Sequence, residues 1–287
     1  MKKGIVLFAH NNRQIDYVKM SIISAKLAKK NLGVPVSLIT DPSTVEWMKE
    51  SNIFEVASTV FENIIITQRP DDENTRVIFD GTAKISSPFK NANRNSVWDL
   101  TPYDRTLLLD TDYFVLGNSL NEYWDVDSDI LIAESYNDIF GQERTGYLDK
   151  HVSETGVKML WATTVMFTKN ENTKLFFNLV EHIRQNYKQF ADLFRFNSSI
   201  YRNDIAFSVA RHIMYGFETD KDYSLPPVLS VTDKDYLYDI DNNGNLIFLV
   251  SPKLDGTYCA AKINNNDIHI MNKQSISRNT DKLMELA

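Results

Sequence analysis

The sequence predicts an α/β fold built on a parallel sheet with helices on both faces. Two observations carry this. The first third alternates strand-length apolar runs with segments of helical periodicity, the pattern of a parallel sheet. The stretch DRTLLLDTDYFVLG, residues 104–117, then runs out of an apolar strand straight into two aspartates, as a sheet with a ligand site at its strand ends would. From Leu225 onward, short strands and Asn/Asp/Gly turns such as DNNGN (241–245) predict a smaller β-rich part.

Taken in order, Gly4 to His10 reads as a buried strand, and Ile15, Val18, Ile22 and Ala25 recur at helical spacing after it. Val34 to Thr40 is a second strand with Asp41 at its carboxyl end, and Ser43 or Thr44 can cap the helix TVEWMKESN. Residues 67–82 are polar and irregular and read as a surface loop, followed by a helix ending near Leu100 and the strand into Asp110. Asp129–Glu134 and Val157–Thr168 look like further strands. Asn172–Phe194 reads as one long amphipathic helix with Leu175, Leu179, Ile183 and Phe190 on one side, and Asn203–Tyr215 as another, stopped by Gly216. No repeat, low-complexity segment or Pro/Gly-rich linker divides the chain.

The 287 residues are enough for a sizeable core, and 43% hydrophobic with 24% charged residues is ordinary for a globular protein. A net charge of −7 argues against an electrostatically driven nucleic-acid binder. The basic cluster Lys26, Lys29 and Lys30 is expected to be a solvated helix face. One cysteine, Cys259, excludes an intrachain disulfide framework and a cysteine-rich zinc site, and is expected to be half-buried. The apolar run Ile5–Ala9 is too short for a signal-peptide core, and no run is long enough to span a bilayer, so a cytoplasmic protein without a membrane span is expected.

Asp110 and Asp112 are the chemically informative pair. Two carboxylates at a strand end repel and are costly to desolvate unless a cation lies between them. A hard divalent ion, Mn²⁺ or Mg²⁺, takes carboxylate oxygens and keeps places for phosphate. A DxD in an ordinary turn simply faces water, but the apolar lead-in here favours a metal-bound diphosphate.

Asp110, Thr111 and Asp112 resemble the DxD motif of GT-A-fold glycosyltransferases. The segment from Arg94 to Asn118 is similar to that of the glycogenin-like and galactosyltransferase-like retaining enzymes, with Trp98, Leu100, Thr101, Tyr103, Val115 and Leu116 also fitting. The resemblance implies a Rossmann-like, mixed, mostly parallel central sheet flanked by helices, with a small C-terminal β-rich part. It implies a single domain over 1–287, with a nucleotide-binding half (1–118) and an acceptor/sugar half (119–287). It also implies that Arg94 touches the donor diphosphate, with Lys84 and Lys90 as near alternatives, and that His10, Asn11, Asn12 and Tyr17 hold the base and ribose. Asp41 is either a further partner of the nucleotide or a helix cap. DIHIMNK (267–273) resembles the family's late histidine motif, making His269 the third metal ligand; Lys273 follows Asn272 directly, where the family has a glycine before its diphosphate-binding lysine. WATTVMFTK places Ala162, Thr163 and Thr164 beside the donor sugar, in place of the family's Asn–Ala/Ser–Gly. Asn203 and Asp204 occupy the place of the pair that opens a helix beside the reactive carbon. There Asp204 can stabilise an oxocarbenium-like transition state, act as a transient nucleophile, or merely face the helix dipole.

The expected activity is thus metal-dependent transfer of a hexosyl or pentosyl group from a nucleoside-diphosphate sugar, with UDP favoured, to a hydroxyl acceptor, with retention. A glycan, a protein, a lipid-linked sugar, a small metabolite and a hydroxymethylated DNA base are all open as acceptor, the last disfavoured by net charge. Two other classes compete. A sugar-1-phosphate nucleotidyltransferase would want a Gly-rich basic loop after the first strand, and AHNNRQ has no glycine. A non-catalytic nucleotide-sugar-binding module would keep the fold without the chemistry.

Overall fold

The computed structural model describes residues 1–12, 14–68, 75–217, 224–250 and 257–287. Its strands are β1 (Lys3–Phe8), β2 (Val36–Thr40), β3 (Asn63–Ile66), β4 (Thr75–Asp80), β5 (Ala83–Pro88), β6 (Arg105–Leu109), β7 (Tyr113–Phe114), β8 (Ile130–Ala133), β9 (Tyr136–Asn137), β10 (Trp161–Thr168), β11 (Val228–Val231), β12 (Tyr236–Ile240), β13 (Leu246–Val250), β14 (Cys259–Ile263) and β15 (Ile268–Ile270). Six of them form the central sheet, in the order β3-β2-β1-β6-β10-β8. The β3–β2, β2–β1 and β1–β6 pairs are parallel, and β6–β10 and β10–β8 are antiparallel. The mixed, mostly parallel α/β sheet expected from the sequence is therefore present. The chain winds outward from β1 through β2 to β3 and then returns to place β6 on the other side of β1. The β1/β6 crevice is the topological switch point, where open α/β sheets bind ligands outside the carboxyl ends of their strands.

Among the described residues the helices are α1 (Tyr17–Leu32), α2 (Pro42–Glu50), α3 (Phe54–Val60), the short α4 (Val97–Leu100) and α5 (Tyr147–Lys150), α6 (Glu171–Gln185), α7 (Tyr187–Phe194), α8 (Asn203–Tyr215), α9 (Lys273–Arg278) and α10 (Thr280–Leu286). One face of the sheet buries Val6, Leu108, Val165 and Phe167 against Phe176, Phe177, Val180 and Phe207 of α6 and α8. The other buries Ile5, Leu7, Leu107, Leu109 and Met166 against Val18, Ile22 and Ala25 of α1. Strands covered on both faces read as near-continuous apolar runs, which is why IVLF and TLLL stood out. Gly4 is needed in β1 because a Cβ there would lie 2.4 Å from Cζ of Tyr103, which packs over the strand. A second sheet, β7-β15-β11-β9, and an antiparallel sheet, β12-β13-β14, supply the β-rich C-terminal part.

Several expectations are corrected. The loop expected over 67–82 contains β4, which pairs with β5 as a hairpin; Gln68 precedes residues 69–74, which lie outside the described residues. The following segment is helical only from Arg94, as a 3-10 turn leading into α4. The long helix over 172–194 is two, broken between Gln185 and Tyr187, and Leu175 is exposed while Phe176 and Phe177 face the core. Asp41, not Ser43 or Thr44, caps α2. Cys259 is exposed. Lys26, Lys29 and Lys30 do more than meet solvent: their ammonium groups donate to the carbonyls of Met284, Val60 and Leu286. Asn203–Tyr215 is helical as expected, and Gly216 ends it with φ 65°. No helix among the described residues is long and apolar enough to cross a membrane.

At the end of the sheet opposite the strand carboxyl ends, Arg105 is 4% exposed and pairs with no carboxylate among the described residues. Its guanidinium donates instead to the carbonyls of Ser128, Tyr123 and Val126 and to Thr168 Oγ1, at 2.7 to 3.1 Å. This binds β6 and β10 to the 3-10 segment Ser119–Asp125 and the turn after it. Arg105→Met removes all four donors and leaves their acceptors short of partners, so a loss of about 3 kcal/mol is expected. Urea unfolding monitored by far-UV circular dichroism measures it, with Arg105→Lys recovering part.

Candidate functional site

Asp110 is the first residue beyond β6, and its backbone N–H donates to Thr163 O of β10 at 3.1 Å. Two residues on, the chain turns into β7, which pairs antiparallel with β15 in the register His269↔Tyr113. Ile270 N donates to Asp112 O at 2.9 Å, which locks that register beside the carboxylates. His269 is thereby delivered to Asp112 from 157 positions away, with Nε2 3.5 Å from Asp112 Oδ2. One ligand atom from each of Asp110, Asp112 and His269 lies within 4.8 Å of the others. The His269 Nδ1 is 3.3 Å from Ser230 Oγ of β11, which orients the ring.

Two cations hold the carboxylates. Arg94, 3% exposed, sets Nη1 2.8 Å from Asp110 Oδ1, and Lys273, the first residue of α9, sets Nζ 2.6 Å from Asp112 Oδ2. Asn272 caps α9 through Ser275 N, so the lysine that follows it is fixed at the helix start. Burial raises the Asp110 carboxyl against the pull of Arg94, and the neighbouring Asp112 charge adds to the rise. Burial opposes ionisation of Asp112 as well, but Lys273 and His269 outweigh it and hold the carboxyl below the usual range. Burial likewise disfavours the His269 imidazolium, and the Asp112 charge overrides it, so its pKa is raised. The Lys273 ammonium is held upward by Asp112 against burial.

These groups open into a cleft of about 440 Å³ at the switch point, lined also by His10, Tyr17, Thr111, Thr163, Asn203 and Asp204. Asp204 stands in the first turn of α8; its Oδ1 accepts from Ala162 N at 2.9 Å and its Oδ2 from Arg202 Nη2 at 3.1 Å, which fixes the carboxylate toward β10. Asn203 donates through Nδ2 to Asn91 O at 3.0 Å, and its buried Oδ1 has no partner among the described residues. The Arg94 Nη2 is also buried without a partner among the described residues. Burial pushes the Tyr17 hydroxyl above its ordinary value.

Asn11, Asn12 and Asp41 lie beside the cleft but are not among its lining residues. Asn11 Oδ1 accepts from Val18 N and its Nδ2 donates to Asp16, while Asn12 Oδ1 accepts from Gln14 N and Ile15 N. These contacts shape the β1–α1 connection, while Asn12 Nδ2 reaches across to Ser87 Oγ of β5 at 3.2 Å. Asp41 accepts from Thr44 N and Ser43 Oγ, both at 2.7 Å, and its Oδ2 lies 3.4 Å from His10 Nδ1. Lys84 is exposed on β5 away from the cleft, whereas Lys90 lines it and donates to Asn11 O at 2.7 Å. Sequence reasoning missed Arg76, Arg202 and Asp233, which also line the cleft. Arg76 sits in the segment read as loop, where no local pattern marks an inward-facing side chain.

The donor set fits a divalent ion. Two carboxylates and an imidazole converge, the carboxylates are held by cations that phosphate can compete for, and Arg94 keeps an unpartnered buried N–H. Asp110, Asp112 and His269 would hold such an ion, with Mn²⁺ and Mg²⁺ both compatible.

Asp41 makes a separate prediction. Burial alone would raise its carboxyl, but the contacts with His10, Ser43 and Thr44 hold it well below the ordinary range. A depressed pKa adds stability above the unfolded value near ~4 that is lost as pH falls through the folded value. Asp41→Ala is expected to cost about 1 kcal/mol or more at pH 7 through the lost cap. Asp41→Asn keeps the cap, and its deficit relative to the natural protein shrinks as pH falls below about 4, read from urea midpoints across pH.

No protein-family model and no curated protein matches the chain. Among solved structures it is similar to the galactosyltransferase LgtC in complex with donor and acceptor sugar analogues, at 14% identity over 78% of this chain and 84% of that one, TM-score 0.46. It is similar to an active-site mutant of LgtC at 16% identity over 72% and 69%, TM-score 0.47. A third likeness is to the glycosyltransferase GlyE of Streptococcus pneumoniae TIGR4, at 16% identity over 79% of this chain but 45% of GlyE, TM-score 0.40. All three scores lie below 0.5, so the functional reading rests on the chain's own residues.

Proposed function

We propose that the protein is a metal-dependent glycosyltransferase that moves a sugar from a nucleoside-diphosphate sugar, UDP favoured, to a hydroxyl acceptor. The observation that carries this is the convergence of Asp110, Asp112 and His269 with Arg94 and Lys273 in one cleft at the sheet's switch point. An anion-binding pair of cations beside a three-ligand metal set is what a diphosphate leaving group requires. The resemblance of the segment from Arg94 to Asn118 supports UDP and retention of configuration. In this reading 1–287 acts as one transferase unit, with the nucleotide held by residues 1–118 and the sugar and acceptor by residues 119–287.

Arg94 and Lys273 exchange from the carboxylates to phosphate oxygens as the donor enters, keeping the diphosphate in register with Asp110 and Asp112. A divalent ion held by Asp110, Asp112 and His269 would supply Lewis-acid neutralisation of the leaving diphosphate. His10 and Tyr17 flank the cleft where the nucleoside enters, Tyr17 offering a ring face. Thr163 lines the sugar side next to Asp110. Asp204, pinned between Ala162 N and Arg202, presents a fixed negative charge to the carbon that develops oxocarbenium character. Asn203 Oδ1, buried and unpartnered, can accept from a sugar hydroxyl.

A panel of nucleotide sugars with and without Mn²⁺ tests this by thermal shift. Stabilisation by UDP or UDP-sugars is expected only with the metal, worth about 2.7 kcal/mol at a ligand concentration one hundred times Kd. Asp112→Ala is expected to abolish the metal-dependent shift. If no nucleotide shifts the transition with metal, the proposal fails; if binding persists but Asp110→Ala leaves donor hydrolysis and transfer unchanged, the chain is a binding module instead.

A further inference from the structure

Arg76 lines the same cleft from β4, on the hairpin that roofs it, and nothing in the diphosphate site uses it. Its guanidinium lies 3.4 Å from the ring centroid of Phe89, and Nη2 donates to Tyr201 O at 3.0 Å. Stacking on one face and a backbone acceptor at one edge hold the fork rigid, while the Tyr201 contact engages one of its five N–H donors. The remaining donors have no protein acceptor among the described residues.

The other cations of the cleft are engaged. Arg94 pairs with Asp110, Lys273 with Asp112 and Arg202 with Asp204, while Lys90 holds Asn11 O. The fourth carboxylate of the lining, Asp233, turns its Oδ2 to Phe79 N at 2.9 Å. No carboxylate among the described residues pairs with Arg76. Among the described lining residues five Lys and Arg cations thus face four carboxylates, and Arg76 forms an ion pair with none of them. A divalent ion and the diphosphate of a nucleotide sugar cancel each other, so donor binding leaves that excess standing. Burial disfavours this half-buried cation and Asp204 and Asp110 offset that only through space, so a ligand anion would supply the direct partner it lacks.

Resting on the glycosyl-transfer reading, we propose that Arg76 recognises a carboxylate or phosphate carried by the transferred sugar or the acceptor, so that the substrate bears an anionic group beyond the donor diphosphate. A guanidinium fork binds either group bidentately. The arginine then acts as a specificity-determining residue, rejecting neutral analogues by leaving its own N–H groups unpaired.

Isothermal titration of the full chain in Mn²⁺ tests this with two matched pairs of probes. One compares UDP-glucuronate with UDP-glucose; the other compares glucose 6-phosphate with glucose on protein saturated with UDP and Mn²⁺. The charged member of one pair is expected to bind at least tenfold more tightly than its neutral partner. Preference in the first pair places the anion on the transferred sugar, and in the second on the acceptor. Arg76→Gln is expected to erase the preference and Arg76→Lys to keep part of it, both binding UDP with Mn²⁺ as the natural protein does. Equal binding within both pairs overturns the inference, as does a preference that survives Arg76→Gln or a loss of UDP affinity in that variant. Failure of the natural protein to bind UDP with Mn²⁺ overturns the glycosyl-transfer reading itself, and this inference falls with it; UDP binding without charge preference overturns this inference alone.

Discussion

Two carboxylates at the end of a buried strand have to be compensated, and much of the molecule's organisation follows from that constraint. Asp112 is 4% exposed, and Asp110 stands beside it with Thr111 between them. Bringing them out of water together costs several kcal/mol per ion unless counter-charges are in place. Arg94 meets the first and Lys273 the second, each at hydrogen-bonding distance. To deliver Lys273, the chain must return after 160 further residues, form β15 against β7, and begin α9 at Asn272. The C-terminal strands are thus tied electrostatically to the central sheet.

The same arrangement gives the site its chemical character. In the proposed reading structural compensation and diphosphate binding would use one set of cations, because a guanidinium or ammonium that satisfies a carboxylate also satisfies a phosphate oxygen. Burial raises Asp110 while Lys273 and His269 hold Asp112 down, so the two acids differ although only one residue separates them. Asp204, fixed by Ala162 N and Arg202, adds a third carboxylate at another side of the cleft without closing on the first two.

Much of the segment that resembles the transferase family turns out to be scaffold. Tyr103 packs over Gly4, Thr101 Oγ1 and Thr106 Oγ1 are 2.7 Å apart, and Trp98 Nε1 donates to Thr173 Oγ1 at 3.0 Å. These contacts seat β6 between β1 and β10 and so aim the aspartates. In this chain the motif's spacing sets how β6 enters the sheet.

Local sequence determined what local physics determines. Apolar runs without alternation identified β1, β2 and β6 because strands covered on both faces have no polar side. The DxD was legible because two adjacent charges after such a run need a reason. Helix α8 was readable from its period and its terminal glycine. The hairpin β4–β5 was not, because it is half-exposed and its pairing partner, rather than an internal pattern, makes it a strand. The break between α6 and α7 and the inward turn of Phe176 and Phe177 depended on which face the sheet offered. Only the tertiary structure decided that Asn12 Nδ2 reaches Ser87 Oγ of β5, that Lys273 meets Asp112, and that Arg76 reaches Tyr201 O beside the cleft. Each of these is a matter of which acceptor or counter-charge lies within about 3 Å, a distance set by pairings between residues far apart in the chain.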